Sequence, residues 1–303
     1  MSDDFEEQSF GATTVWYGAK RGKYPHGNSL VVRGANETIV IDPSLGLVAR
    51  EPAARPRVDR VLHSHCHEDH FAGSFLYPDV PWHFHDADLP GIASLDALMD
   101  LYGYPEPIYS AWRKTVVERF HFTPRPDARG FRDGDRFELG GGVRVEVIHA
   151  PGHTRGHCFF RMLPDDVVYL ADVDLSSFGP YYGDAWSDLE DFERTLARAR
   201  ALDARHYATF HHIGVIDGRA AFLDKLERFA AVIADREARL LAYLSEPRSQ
   251  AQITEHRFVY RPQDPVPFAS AVEQRSMSQH IARLLRAGRV REVEPGHYLR
   301  SAA

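Results

Sequence analysis

Residues His63-Ser64-His65-Cys66-His67-Glu68-Asp69-His70 place four imidazoles and two carboxylates in eight positions. Neutral imidazole and carboxylate are the side chains that hold borderline divalent metals, and neither a core nor an ordinary solvated face has reason to concentrate them. The run reads as a metal site. Its spacing is not that of a helical His-Glu-x-x-His site, whose histidines stand four apart on one face. His65 and His67 can point to one side, while Asp69 and His70 follow where the chain turns towards a helix expected to begin near Phe71-Ala72-Gly73. That arrangement gives two groups of ligands.

The cluster needs an element to present it, and Arg57-Val58-Asp59-Arg60-Val61-Leu62 reads as a strand entering the core just before it. Upstream, Thr13-Val15-Tyr17, Ser29 to Arg33 and Thr38 to Asp42 read as successive strands, the last two separated by the turn signal Gly34-Ala35-Asn36. Downstream come a short strand at Pro81 to His85 and a helical, aromatic-rich stretch from Asp86 to Phe120. A second half then opens with Phe131 to Leu139, a Gly140-Gly141-Gly142 turn and the strand Val143 to His149. Three more strand ends in this half carry candidates: the loop Pro151-Gly152-His153-Thr154-Arg155-Gly156-His157, then Asp172 after Val167 to Ala171, then His211-His212 after Tyr207 to Phe210. The glycines of the first loop permit a tight, close-approaching backbone. Two sheet-forming halves with flanking helices predict a layered α/β sandwich.

These motifs, in this order, resemble the metallo-β-lactamase superfamily. The likeness rests on His65-x-His67-x-Asp69-His70, on Gly152-His153-Thr154-Arg155-Gly156-His157, on the strand-end Asp172 and on the late histidine, and it spans residues 13 to 217. It implies a four-layer αββα fold. It also implies that His65, His67 and His153 bind one metal, that Asp69, His70 and His211 bind a second, and that Asp172 bridges the two. His212 is the alternative to His211. The implied cofactor is two zinc ions, with manganese or iron as alternatives. A water bridging such a pair has its pKa lowered from about 15.7 towards about 7, so that hydroxide is available to attack a carbonyl or phosphoryl centre. In that reading Asp69 also has a catalytic part, accepting a hydrogen bond from the nucleophile.

Plainer readings apply to the neighbours. His63 is expected to be a buried spectator, Cys66 a packed thiol, and Glu68 either solvated or a partner to a ligand. His157 is read as support for its own loop, Asp174 as secondary to Asp172, and His206 as without a catalytic role. His83 and His85 have no carboxylate or cysteine companion at a metal-binding spacing. Substrate contacts are expected from less standard segments. Leu98 to Trp112 is either a lid or a helical pair packed on the core, the loop around Tyr24 and His26 is a candidate rim, and Ser176 to Trp186 offers Tyr181 or Tyr182 as a substrate-binding oxyanion donor.

Composition sets the outer bounds. The chain has 303 residues, 44% hydrophobic and 26% charged, which is globular material sufficient for one large unit and one small one. We expect a catalytic domain over 1–218 and a C-terminal helical, winged-helix-like region over 219–303, where helical spacing is followed by Val290-Arg291-Glu292-Val293 and His297 to Arg300 around a Pro295-Gly296 turn. The smaller region carries 14 Lys/Arg against 10 Asp/Glu, the larger 22 against 33. An acidic body argues against a polyanionic substrate. Arg283, Arg286, Arg289 and Arg291 make nucleic-acid contact the lesser reading of the C-terminal region, beside walling the cleft or forming a homodimer. Two cysteines build no disulfide framework, the acidic start lacks a signal-peptide pattern, and no run approaches the roughly 18 apolar residues of a membrane helix. The expected protein is cytoplasmic, binds no membrane, and hydrolyses a small-molecule ester, thioester or lactone with a metal-bridging hydroxide. The alternatives are a metal-dependent nuclease and a mononuclear iron oxygenase or noncatalytic binding module on the same scaffold.

Overall fold

The computed structural model describes residues 6–302; the acidic start Met1 to Phe5, where no signal peptide was expected, lies outside them. Seven strands form the first sheet: β1 (Glu7–Phe10), β2 (Thr13–Trp16), β3 (Ser29–Arg33), β4 (Thr38–Ile41), β5 (Arg60–Leu62), β6 (Trp82–His85) and β7 (Arg129–Phe131), paired in chain order. Six form the second: β8 (Arg136–Gly140), β9 (Val143–His149), β10 (Cys158–Leu163), β11 (Val167–Tyr169), β12 (His206–Ala208) and β13 (Val215–Asp217). β4 to β7 are mutually parallel, as are β11 and β12, so β4, β5, β11 and β12 can deliver strand-end residues to one edge.

The two-residue period of a strand decides the layers. Leu30, Val32, Ile39, Ile41 and Leu62 face the second sheet and meet Val145, Val147, Phe160, Met162 and Tyr169 in one core between the sheets. Their alternates Val31, Val40 and Val61 face outwards, under α1 (Leu95–Tyr102) and α2 (Ile108–Glu118). On the far side Phe159, Val168 and Tyr207 face α3 (Leu189–Arg200) and α4 (Arg219–Tyr243). Both faces of each sheet are therefore apolar, and the result is the expected four-layer αββα sandwich. One local reading is corrected. The stretch Asp86 to Phe120 is broken into separate helices, with Gly103 in the left-handed region (φ 61°) ending α1. The helical spacing expected after residue 219 opens with one continuous helix of 25 residues, α4.

The C-terminal residues continue from α4 through α5 (Gln250–His256) and α6 (Ala269–Arg286) to a three-stranded sheet of β14 (Arg248–Ser249), β15 (Val290–Glu294) and β16 (His297–Arg300). They have their own apolar cluster around Leu240, Ile253, Met277 and Ile281, yet Ala271 and Val272 of α6 join the core under α1 and α2. Arg275 fastens this contact by donating to the carbonyls of Tyr102 (2.8 Å) and Gly103 (2.9 Å). Glu273, fully buried, accepts the backbone N–H groups of Phe258, Val259 and Tyr260. A carboxylate with three such donors is well solvated by the protein, and removing it orphans all three. Glu273→Ala is expected to cost about 3 kcal/mol, read as a lower urea midpoint with an unchanged m value.

Candidate metal centre

All the strand-end candidates meet at one edge of the sandwich. His65, His67, His153 and Asp172 offer donor atoms that lie within 4.8 Å of one another, and Asp69, His70 and His211 form a second such group. Each group draws on both sheets: the 63–70 segment follows β5, whereas His153 follows β9, Asp172 follows β11 and His211 follows β12. Asp172 faces both groups. Its Oδ2 is 3.1 Å from His153 Nε2, and its Oδ1 is 3.0 Å from His70 Nε2. Contrary to expectation, Asp69 and His70 do not precede a helix at 71–73 but sit inside a helical turn, Glu68–Phe71.

Each of the five histidines has one ring nitrogen committed to a protein partner, which fixes the role of the other. His70 Nδ1 meets the Asp42 carboxylate at 2.8 Å, His153 Nδ1 the Tyr181 carbonyl at 3.0 Å and His211 Nδ1 the Gly22 carbonyl at 2.6 Å. His65 Nδ1 lies 3.0 Å from Ser64 Oγ, which gives its own hydrogen to Asp42 and so has only lone pairs for the ring. His67 is turned the other way: its Nε2 is 3.0 Å from Asp184 Oδ2, in charge contact although outside hydrogen-bond alignment. His65, His70, His153 and His211 thus aim Nε2, and His67 aims Nδ1, at the shared space. His67 Nδ1 stands 3.0 Å from His65 Nε2 and 2.9 Å from His153 Nε2. Lone pairs converge there, and buried Asp69 Oδ2, His70 Nε2 and Asp172 Oδ1 have no aligned hydrogen-bond partner. Such a donor set, with its outer nitrogens tied down, fits divalent cations.

Charge in the metal-free centre follows from the same distances. Burial disfavours ionisation of the Asp172 and Asp69 carboxyls, but His70 with His153 for the first, and His70 with His211 for the second, hold both below the usual range. Burial would likewise lower the pKa of His211; Asp69 at 3.0 Å and Asp172 reverse this and hold it up at about 9. His70 is pushed well up against burial by Asp172, Asp42 and Asp69. His65 has its pKa held well down by burial and then by His70, His153 and His67.

Three carboxylates missed by the sequence reading set this geometry. Asp42, at the end of β4, accepts from Ser64 N (2.7 Å) and Tyr169 Oη (2.7 Å) besides His70. Asp88 accepts from Cys66 N (3.1 Å), Thr154 Oγ1 (2.7 Å) and Gly156 N (2.7 Å), tying the His65–His67 loop to the His153 loop. A Cβ on Gly156 would stand 2.6 Å from the Asp88 carboxyl carbon, and one on Gly152 2.2 Å from Phe192 N, so the expected close approach occurs at both glycines. Asp184 accepts from Tyr104 and Tyr181 hydroxyls and fronts His67.

The remaining candidates sort by contact. His212 is exposed and lies outside both groups. His63 is buried between Ser74 Oγ (2.7 Å) and the stacked ring of Phe84, its pKa pushed down to about 3 by burial. His157 spans the Ala150 carbonyl and Asp172 N, supporting its loop. Glu68 is not solvated: it is buried, accepts from Tyr24 and Tyr102, and is raised to about 7 by burial and Asp69. His83 and His85 join no donor group among the described residues, and His206 pairs with Asp217. A cavity of about 560 Å³ opens beside His67, Asp69, His153, Asp172 and His211. Tyr181 lines it, but its hydroxyl is already given to Asp184 Oδ1, which corrects the expected oxyanion donor, and the expectation for Tyr182 is corrected too: that ring is buried away from the cavity and its hydroxyl meets His280 Nε2 at 2.9 Å. Asp174 and Tyr24 line the cavity, whereas His26 does not. Leu98, Met99 and Leu101 are core while Tyr102, Tyr104, Ile108 and Trp112 face the cavity, so the 98–112 segment both packs and covers.

Two donor groups, each able to hold a metal ion, thus sit side by side at the edge of an αββα sandwich. Residues 24–211 match the model of the metallo-beta-lactamase superfamily, and the chain belongs to that family, whose fold binds divalent metals. A metallo-beta-lactamase family protein from Thermus thermophilus superposes with a TM-score of 0.70 at 22% identity, covering 96% of this chain and 99% of that one. A beta-lactamase domain protein from Burkholderia ambifaria gives 0.68 at 17% identity, over 99% and 95%. Among curated sequences, an uncharacterized protein of Mycobacterium tuberculosis is 28% identical over 159 residues, 48% of this chain and 65% of that protein. Human acyl-coenzyme A thioesterase MBLAC2 is 28% identical over 199 residues, 56% of this chain and 66% of that protein. The chain thus spans about two thirds of the length of these relatives.

Asp184→Asn keeps shape but removes the charge fronting His67, and such outer partners govern affinity about 10- to 100-fold. The expected result is weaker zinc retention against a chelator by that factor, with an unchanged circular dichroism spectrum. Because His211 is held at about 9, it is protonated at pH 7 in the metal-free protein, and ligation requires its neutral form. Zinc uptake at pH 7 is expected to release protons, seen as a heat that varies with buffer ionisation enthalpy, and affinity is expected to rise with pH towards about 9.

Proposed function

We propose that the protein is a cytoplasmic, metal-dependent hydrolase of a small ester, thioester or lactone, with two zinc ions held by His65, His67, His153 and Asp172 and by Asp69, His70, His211 and the same Asp172. Manganese and iron suit the same imidazole and carboxylate donors. The observation that carries this reading is that four of the five histidines are hydrogen-bonded through their outer nitrogens, and the fifth, His67, is fronted there by Asp184, beside a cavity with an apolar wall. Divalent ions there supply Lewis acidity and a water acidic enough to ionise near neutral pH. Likeness to the MBLAC2 thioesterase adds support for acyl transfer to water.

The chain's own residues would orient and enclose. Water adds to the acyl carbon and the acyl–oxygen or acyl–sulfur bond breaks; one water proton goes to the departing oxygen or sulfur, giving an alcohol or thiol, and the other is released as the carboxylic acid ionises to carboxylate. Asp69, whose Oδ2 stands 3.0 Å from His211 and faces the shared space, is the group placed to align the attacking water and pass on its proton. The aromatic wall excludes bulk solvent, which strengthens each electrostatic contact at the reacting carbon.

A nuclease has less in its favour. Arg283 and Arg289 pair with Glu237 and Arg286 with Glu190, so three of the four arginines considered for phosphate binding already have carboxylate partners. Metal analysis with a panel of thioesters, lactones, phosphodiesters and RNA tests the proposal. Two ions per chain and hydrolysis of an acyl substrate are expected, with Asp69→Asn reducing kcat by about 100-fold or more and Asp172→Ala losing at least one ion. A single ion and no acyl hydrolysis, with both variants unchanged, would overturn it.

A further inference from the structure

The cavity beside the donor groups has a polar composition and an apolar surface. Five tyrosines line it, Tyr24, Tyr102, Tyr104, Tyr181 and Tyr260, together with Glu68 and Asp184. The first four phenols are each committed to one of those two carboxylates. Tyr24 and Tyr102 donate to opposite oxygens of Glu68 at 3.0 and 2.6 Å, and Tyr104 and Tyr181 both donate to Asp184 Oδ1 at 3.2 and 3.1 Å. A hydroxyl has one hydrogen to give, so none of the four keeps a donor for a ligand. What they turn to the cavity is ring carbon. Glu68 and Asp184, each holding two phenols, are covered by the same rings.

The opposite wall comes from the C-terminal region. Tyr260, Pro265, Val266, Pro267 and Phe268 reach over the cavity, and Phe268 stacks on Tyr104 with centroids 5.4 Å apart and planes at 6°, while meeting Trp112 edge-on at 4.9 Å. Among the described residues lining the cavity, Arg119 is the one Lys or Arg, against Glu68, Asp174 and Asp184 beyond the donor groups. A ligand bearing its own carboxylate would have Arg119 as its single cationic partner against those three carboxylates, and would lose its water. An alkyl or aryl group would lose only water.

Resting on the hydrolase reading above, we propose that this cavity is the subsite for an uncharged, apolar acyl group, and that Phe268 of the C-terminal region sets the length it accepts. The ligand's acyl carbon lies at the donor groups and its tail runs along Tyr102 and Tyr104 towards Phe268. Size selection then belongs to a residue remote in sequence from every metal-ligand candidate.

The test uses the full-length, zinc-loaded protein and N-acetylcysteamine thioesters from acetyl to decanoyl, with glutaryl as the carboxylated probe. Wild type is expected to gain about fourfold in kcat/KM per methylene up to a ceiling, and to take glutaryl about 100-fold less well than hexanoyl. Phe268→Ala is expected to move the ceiling to longer chains and Phe268→Trp to shorter ones, both with wild-type circular dichroism. A ceiling unmoved by either folded variant, or glutaryl handled as well as hexanoyl, overturns the proposal. If no acyl substrate is cleaved, the hydrolase reading is what fails, and calorimetry with uncleaved probes decides the subsite. Hexanamide binding at least tenfold tighter than glutaramate would sustain it, whereas equal or absent binding would refute it.

Discussion

Seven side chains crowd imidazole nitrogens and carboxylate oxygens into one small volume, and holding them there is the constraint to which the rest of the molecule answers. Left to themselves, nitrogens 2.9 to 3.0 Å apart, such as those of His65, His67 and His153, would separate or capture protons. They are held because each ring is gripped from behind. Asp42 grips His70 directly and His65 through Ser64, and Asp184 faces His67. Backbone carbonyls grip His153 and His211. Parallel strands supply the frame, since β4 and β5 end side by side and so bring Asp42 and the histidine run to the same edge.

Around that centre the cavity is assembled from segments far apart in the chain. Tyr24 comes from an early loop, Tyr102 to Trp112 from the helices over the first sheet, Tyr181 and Asp184 from the loop after Asp172, and Phe268 from the C-terminal region. The C-terminal residues are fastened to the sandwich through Arg275 and Val272 rather than tethered loosely. The likeness in fold to solved structures extends over 96% and 99% of the chain.

The layers were legible because strand alternation is local: Val31 and Leu30 declare opposite faces without reference to any other segment. The imidazole-rich run was legible because such a density of donors has few other uses. The bracing carboxylates were not. Asp88 matters through Gly156, 68 positions away, and a lone aspartate after His85-Asp86-Ala87 carries no sign of that encounter. Asp42 had a faint signal, a carboxylate ending an apolar strand as Asp172 does. Tyr181 and Tyr182 were indistinguishable in sequence because neighbours on an extended segment point apart, and only the fold says which one meets the cavity. Glu68 misled because acidic residues are usually solvated, whereas here two phenols replace the water.

Each donor group takes members from both sheets: His65 and His67 meet His153 and Asp172, and Asp69 with His70 meets His211. An ion bound in either place would therefore be a cross-link between the two halves of the sandwich, closing loops from the 86 positions between His67 and His153 to the 142 between Asp69 and His211. The open edge of the sandwich, where the sheets share no strand, would then be clasped by coordination bonds much as a disulfide clasps a secreted domain. In a protein whose two cysteines are both buried and unpaired, the candidate metal centre would double as a fastening of the fold.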